Sequence, residues 1–283
     1  MKSSWHFLFM NIYFICQNGK MISNDQPVLR ADNRSFKYGD GVFETMKWKK
    51  GGIVLSHYHF ERLFSSLKLL QINSQSISTD VLLKAIAELC ELNNCTDLAR
   101  VRLAVYRGEN NKAEYLIEAI QLENTIADWN KKGWVIDLHP YIKKNCDVFA
   151  NLKSSSYLFY VMAALYAKEN QLNDCLVMNI YERICDASIA NIFWIKDRQI
   201  FTPPLCEGCV AGVMRRYLIE KIPDRGYEMR EKKLTVEDLE NAEEVFLTNA
   251  IKGITWVKQF RNSTFSNNIT ADVNNQFIVP SFS

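Results

Sequence analysis

Charge of one sign never accumulates in this sequence. The 34 Lys and Arg are dispersed against 32 Asp and Glu, leaving a formal net charge of +2. A nucleic-acid footprint needs basic residues clustered on one face, so polyanion binding is set aside. Long hydrophobic runs are scarce too, and no stretch has the roughly 20 apolar residues that a membrane helix requires. The eight cysteines do not make a disulfide framework in a chain of 283 residues. The pair Cys206 and Cys209 in CEGC invites a zinc or redox reading, yet neither a second CxxC nor an HxxxH follows it. His57 and His59 in HYHF could be ligands, but alternate histidines at a helix start are more often structural. No metal is expected, and the thiols read as reduced ones in a cytoplasmic protein. Repeats and low-complexity tracts are also missing.

What is present is an ordinary globular composition, 48% hydrophobic and 23% charged. The length allows one large domain or two of moderate size. The opening MKSSWHFLFMNIYFICQNGK superficially resembles a signal peptide, but no small-residue cleavage site follows the apolar stretch. NIYFICQNGKMI reads better as a strand running into an Asn-Gly hairpin turn. On that reading Met10 is the start and residues 1–9 are an extension.

Elements follow in mixed order. GIVLS is a short strand. SHYHFERLFSSLKLL is a helix with Ser56 at its N-cap and Phe60, Leu63, Phe64 and Leu67 on one stripe. Arg62 lies nearly opposite that stripe with Tyr58, Ser65 and Leu69, free to face a second surface. DVLLKAIAELCEL is another amphipathic helix, and ARVRLAVYRG and EYLIEAIQL are strands. The polar ENTIADWNKKG, residues 123–133, marks a boundary between an N-terminal α/β domain (1–125) and a C-terminal domain (126–283). Beyond it WVIDLHPY, CLVMNI, ICDASIANIFWIK and QIFTPP read as strands, and GCVAGVMRRYLIEKI as a turn opening a helix. Thr235 and Asp238 are spaced as a capping box. EEVFLTNA and GITWVKQF close with two more strands.

Three features carry chemistry. Lys153 stands where the apolar, β-like VFANL stops and a long apolar-faced helix begins. A lone lysine there is most often a solvated charge. Near a helix N-terminus, however, the macrodipole and partial burial both disfavour the ammonium, leaving a nucleophilic amine suited to imine chemistry. In CVAGVMRR, Ala-Gly running into a helix exposes unpaired N–H groups, which form either a phosphate cradle or an ordinary tight turn. Asp186 is an acid within an otherwise apolar strand and needs a cationic or N–H partner. Its bland alternative is a carboxylate capping its own turn. An imine-forming lysine, a phosphate cradle and an acid for a pyridinium nitrogen are together the handles of a pyridoxal 5′-phosphate site.

With these residues in view, the sequence resembles the class IV aminotransferase family, pyridoxal phosphate enzymes of fold type IV that include branched-chain and D-amino-acid aminotransferases and 4-amino-4-deoxychorismate lyase. The resemblance runs in order through NGKMI, DNRSFKYGDGVFET, HFERL, VRLAVYRG, LKSSSYL, DASIANIFWI, IFTPPL, GCVAGVMRR and AEEVFLTNAIKGITWV, over roughly residues 11–260. It implies an N-terminal α/β sandwich and a C-terminal barrel-like α/β domain with the cofactor between them, a homodimer, and a small amino substrate. By position it makes Lys153 the Schiff-base lysine and proton shuttle, and Arg62 the grip on the cofactor phosphate. Val213 and Met214 offer backbone N–H groups to that phosphate, and Asn249 and Ala250 close its other side. Tyr157 approaches the cofactor ring, while Tyr38, Phe43 and Arg107 belong to the substrate side.

The chain departs from the family pattern in its acid, Asp186 where Glu is usual, and at Met214 and Ala250, where many aminotransferases carry Thr. Two hydroxyl donors are thereby lost, and backbone donors and Arg62 have to compensate. GVMRR and TNA are closer to the aminodeoxychorismate lyase branch, which forms 4-aminobenzoate with release of pyruvate. The alternatives are an amino-acid aminotransferase and a cofactor-binding protein without turnover.

Overall fold

The computed structural model describes residues 13–282, so the start at Met10 and the 1–9 extension lie outside the described residues. A first sheet of six strands is entirely antiparallel. Its members are β1 (Phe14–Gln17), β2 (Lys20–Ser23), β3 (Gly41–Lys49), β4 (Gly52–Ile53), β5 (Leu98–Arg107) and β6 (Ala113–Gln121), in the order β2-β1-β6-β5-β3-β4. The Asn18-Gly19 turn joins β1 to β2 with φ of 50° and 85°, the left-handed pair that a two-residue hairpin turn demands. The short helix α1 (Arg34–Tyr38) precedes β3, and α2 (Ser56–Leu69) and α3 (Thr79–Leu92) cover one face of the sheet. Val42, Met46 and Trp48 of β3 share a core there with Phe60, Leu63 and Leu67 of α2 and Leu82, Ile86 and Leu89 of α3. The strand's period of two turns Phe43 and Thr45 to the other face.

The start of α2 differs from expectation. Leu55, with φ 57°, occupies the cap position without a side-chain hydrogen bond, and Ser56 is already helical. That left-handed residue also ends the GIVLS strand at Ile53.

A second sheet of nine strands holds the remaining β structure. It comprises β7 (Trp134–Lys144), β8 (Asp174–Asn179), β9 (Ile184–Ala187), β10 (Asn191–Lys196), β11 (Gln199–Thr202), β12 (Glu228–Glu231), β13 (Glu244–Asn249), β14 (Gly253–Phe260) and β15 (Ser263–Thr264). The order is β12-β11-β10-β13-β14-β7-β8-β9, with β15 on β14. The sheet curls until β9 returns beside β10, where the Ala187 N–H donates to the Ala190 carbonyl at 2.8 Å. ICDASIANIFWIK is thus two strands separated by a tight turn rather than one. Helices α4 (Leu158–Glu169), α5 (Val213–Lys221) and α6 (Val236–Glu240) belong to this half, and α6 begins with the expected Thr235–Asp238 capping box.

VFANL is not a strand. Asp147 accepts the Phe149 N–H at 2.9 Å and the Ala150 N–H donates to the Asp147 carbonyl at 3.1 Å, folding the segment into a turn. Lys153 lies in the loop beyond it, and α4 begins only at Leu158. What fixes the lysine is pairing with the first sheet: the Phe43 N–H donates to the Lys153 carbonyl, and the Ser155 N–H to the Gly41 carbonyl, both at 2.9 Å.

Candidate active site

A cavity of about 400 Å³ lies where the two sheets meet. Phe43, Arg62, Lys153, Tyr157, Asp186, Val213, Met214, Asn249 and Ala250 all line it. The lysine amine sits between two rings, 4.4 Å from the centroid of Phe43 and 5.3 Å from that of Tyr157. The rings meet edge to face at 5.2 Å. Burial is the main force pulling the Lys153 pKa down to about 8, and the Arg62 guanidinium adds to it, while Glu44 and Asp186 oppose. The helix dipole is not the leading cause, since α4 starts beyond this residue.

Arg62 is held from two sides. Its Nε and Nη2 donate to the Glu44 carboxylate at 2.8 and 2.5 Å, and Nη1 donates to the Ala211 carbonyl at 2.9 Å. Each Nη keeps a further N–H for a ligand. Burial alone would raise the Glu44 pKa, but Arg62 and His59 outweigh it and hold the carboxyl at about 2. Burial lowers the His59 pKa, so the neutral ring contributes Nδ1–H to Glu44 at 2.6 Å. His57 is exposed, 3.2 Å from Glu61. Tyr58, Ser65 and Leu69 do share a surface with Arg62, along a second hollow behind Gly212.

Across the cavity Asp186, only 1% exposed, has its own donors. Oδ2 accepts from the Tyr160 hydroxyl at 2.7 Å, the Val210 N–H at 2.8 Å and the Lys144 ammonium at 3.3 Å. Oδ1 accepts only from Asn191 Nδ2, at 2.9 Å. Burial raises the carboxyl pKa, with Lys144 the largest opposing influence.

Three observations test whether a pyridoxal phosphate fits. Gly212 caps α5 without a side chain, and a Cβ there would stand 1.9 Å from Asn191 Oδ1, so the first-turn N–H groups stay open to the cavity. Thr248 Oγ1 is buried in the cavity wall without a hydrogen-bond partner. Asp186 Oδ1 retains a free lone pair for a ring nitrogen. The residues fit the group. The Met214 side chain packs into the core with Phe193, Leu218 and Phe246, so only its backbone can serve the cavity. Asn249 Oδ1 caps its own turn, accepting the Ile251 and Lys252 N–H groups at 3.0 and 2.9 Å.

Two expected residues lie elsewhere. Tyr38 ends α1, 67% exposed, under the Arg34 guanidinium. Arg107 is committed to Asp40 at 2.8 Å and to the Leu70 carbonyl at 2.7 Å, outside the cavity wall. Cys206 is exposed and Cys209 buried against prolyl carbonyls. Among the described residues no three His, Cys, Asp or Glu are grouped to hold a metal. Sequence reasoning missed Glu44, Lys144, Tyr160, Asn191 and Thr248, and also Arg100, which lines the cavity. Glu44 carried a signal, a lone acid between core residues of a strand. Lys144 carried none, because its partner is remote in sequence.

Comparison with known proteins agrees with this geometry. The amino-transferase class IV family profile matches residues 41–260, and the chain belongs to that family. Its fold is the type IV fold of pyridoxal phosphate enzymes, and the family makes it an enzyme dependent on that cofactor. Aminodeoxychorismate lyase of Bacillus subtilis is 32% identical over 248 residues, 83% of this chain and 82% of the relative. The branched-chain-amino-acid aminotransferase of Escherichia coli K12 is 25% identical over 272 residues, 87% of this chain and 84% of its own. The solved branched-chain aminotransferase of Thermoproteus uzoniensis with norvaline superposes with a TM-score of 0.85 at 22% identity, covering 94% of this chain and 93% of the other.

Two measurements follow. The folded Lys153 pKa of about 8 lies below the unfolded value of 10.5, so the unfolded chain binds the extra proton between those pH values. Apoprotein stability should rise through that window. Lys153→Met should therefore gain stability over wild type by about 1–3 kcal/mol below pH 8, a difference that vanishes towards pH 10.5 in denaturant titrations. A contact from Arg62 to the cofactor phosphate would be charge-assisted and worth roughly 1.5–3 kcal/mol, and Arg62→Ala tests for it. Cofactor affinity should fall about tenfold to a hundredfold on fluorescence titration.

Proposed function

We propose that this chain is an aminodeoxychorismate lyase, converting 4-amino-4-deoxychorismate to 4-aminobenzoate and pyruvate. The observation that carries the reading is the 32% identity to the Bacillus subtilis lyase across 83% of the chain, above the 25% shared with the branched-chain aminotransferase of Escherichia coli K12. Lys153 would hold the cofactor aldehyde through its amine. Once the substrate amine displaces it from that linkage, the freed amine would take the proton from the amine-bearing carbon of the substrate. Its depressed pKa suits both tasks, since a neutral amine is nucleophile and base alike. Bound there, the cofactor supplies an electron sink for the carbanion that this proton transfer creates.

Arg62, the Val213 and Met214 N–H groups and the Asn249–Ala250 turn receive the phosphate, with the Thr248 hydroxyl replacing donors lost at Met214 and Ala250. Asp186 Oδ1 faces the ring nitrogen, Tyr157 stands beside the ring and Phe43 walls the substrate side. Tyr38 and Arg107 do not line the cavity of this single chain. The chain works as a homodimer in the cytoplasm. A two-sided apolar α4 supports the dimer: Leu158, Val161, Met162 and Leu165 stay exposed at helical spacing while Tyr160, Ala163 and Ala167 are buried. No helix among the described residues is long and apolar enough to cross a membrane.

Incubating the reconstituted protein with aminodeoxychorismate, and separately with branched-chain amino acids and 2-oxoglutarate, tests the assignment. The lyase reading predicts equimolar 4-aminobenzoate and pyruvate and little glutamate. Glutamate alone would make the chain an aminotransferase, and neither product would make it a binding protein.

A further inference from the structure

Among the described residues Asp186 is the acid that lines the cavity, and the cation paired with it has no place in the chemistry above. Lys144 ends β7, buried to 5% exposure, with its ammonium 3.3 Å from Asp186 Oδ2 and 3.2 Å from the Ala150 carbonyl. It also donates to the Tyr160 hydroxyl, which in turn donates to Asp186. The ammonium does not line the cavity. It stands behind the carboxylate, on the side away from a ligand.

We propose that Lys144 is a positioning residue that fixes Asp186 as a carboxylate, so that this short acid can hold a protonated ring nitrogen. The proposal rests on the reading that Asp186 faces that nitrogen.

The argument is electrostatic. A carboxyl in an apolar wall favours its neutral form, and a neutral acid beside a pyridine leaves the ring uncharged. The ammonium lies closer to the carboxylate than to any group in front of Oδ1. It therefore attracts the acid more than it repels a pyridinium and favours the charge-separated pair. Other groups around Asp186 do not supply this charge. From α4 and the residue capping it come Tyr160 and Tyr157, both with phenol pKa values pushed up; from β9 and the loop before α5 come Cys185 and Cys209, whose thiols burial also holds neutral. Asn191 and the Val210 N–H are neutral donors. Lys153 also interacts with Asp186, but attaching the cofactor consumes its free amine, and Arg62 is paired with Glu44. Tyr160 adds geometry: bonded to both partners, it holds Oδ2 and leaves Oδ1 with the Asn191 amide and a spare lone pair.

Two charge-removing variants test this, Lys144→Met and Lys144→Gln, the second keeping a polar end should the first fail to fold. Holoprotein infrared spectra of both at neutral pH should gain a protonated-carboxyl stretch, lost in the double variant with Asp186→Asn and absent from wild type. In holoprotein carrying cofactor labelled with ¹⁵N in its ring, the resonance should move from the pyridinium position towards that of neutral pyridine, and Lys144→Arg should restore it. Cofactor affinity should change less than threefold, because the phosphate contacts are untouched. Carboxylate spectra and an unmoved ring resonance in both variants would overturn the proposal. An Asp186→Asn holoprotein with a wild-type ring resonance would instead remove the reading of Asp186 on which it rests.

Discussion

Two backbone hydrogen bonds, Phe43 N–H to the Lys153 carbonyl and Ser155 N–H to the Gly41 carbonyl, tie the loop before α4 to the edge of β3. They put the lysine against the face of β3 turned away from its helical core, so the cavity forms where the two sheets meet. Gly41 sits between that loop and β5. Its lack of a side chain serves the pairing with β5, where a Cβ would stand 2.7 Å from the Val105 carbonyl. Gly39, with φ of 68°, is the glycine the loop crowds, a Cβ there standing 3.0 Å from the Ser156 nitrogen. A second tie runs through Arg62, which joins Glu44 of that same strand to the Ala211 carbonyl ahead of α5. Lysine, arginine and open helix end are thus located relative to one strand, although they come from distant parts of the chain.

Charge in the cavity is arranged in pairs around one odd member. Glu44 belongs to Arg62 and Asp186 to Lys144. Neither carboxylate is therefore wholly free to hold a proton on Lys153, and burial with Arg62 nearby prevails. Buried ion pairs are weak evidence for stability, because desolvation offsets most of their attraction. Their effect here is on protonation: Arg62 and His59 hold the Glu44 carboxyl pKa at about 2, Lys144 opposes the rise that burial gives Asp186, and burial with Arg62 lowers Lys153 to about 8.

Local features were legible in the sequence where the determinant itself is local. The Asn18-Gly19 turn, the apolar stripes of α2 and α3 and the Thr235–Asp238 box are examples, each set by residues within a turn or two. Ser56 misled because a left-handed Leu55 took the cap position, a backbone choice that composition does not announce. VFANL had the look of a strand, yet Asp147 bonds its own neighbours and folds it away. Most of the candidate cavity wall could be placed by resemblance. Arg107 could not, because Asp40 and the carbonyls of the loop after α2 claim its guanidinium. Lys144 and Tyr160 were out of reach since only the tertiary fold brings them to Asp186.

The central claim is that Lys153, not another amine near the cavity, bears the cofactor. Reconstituting the protein with pyridoxal phosphate, reducing it with borohydride and mapping the phosphopyridoxyl group by peptide mass spectrometry tests this directly. The account predicts the label on Lys153 and none on Lys144 or Lys252. A label on either of those two, with Lys153 unmodified, would contradict it.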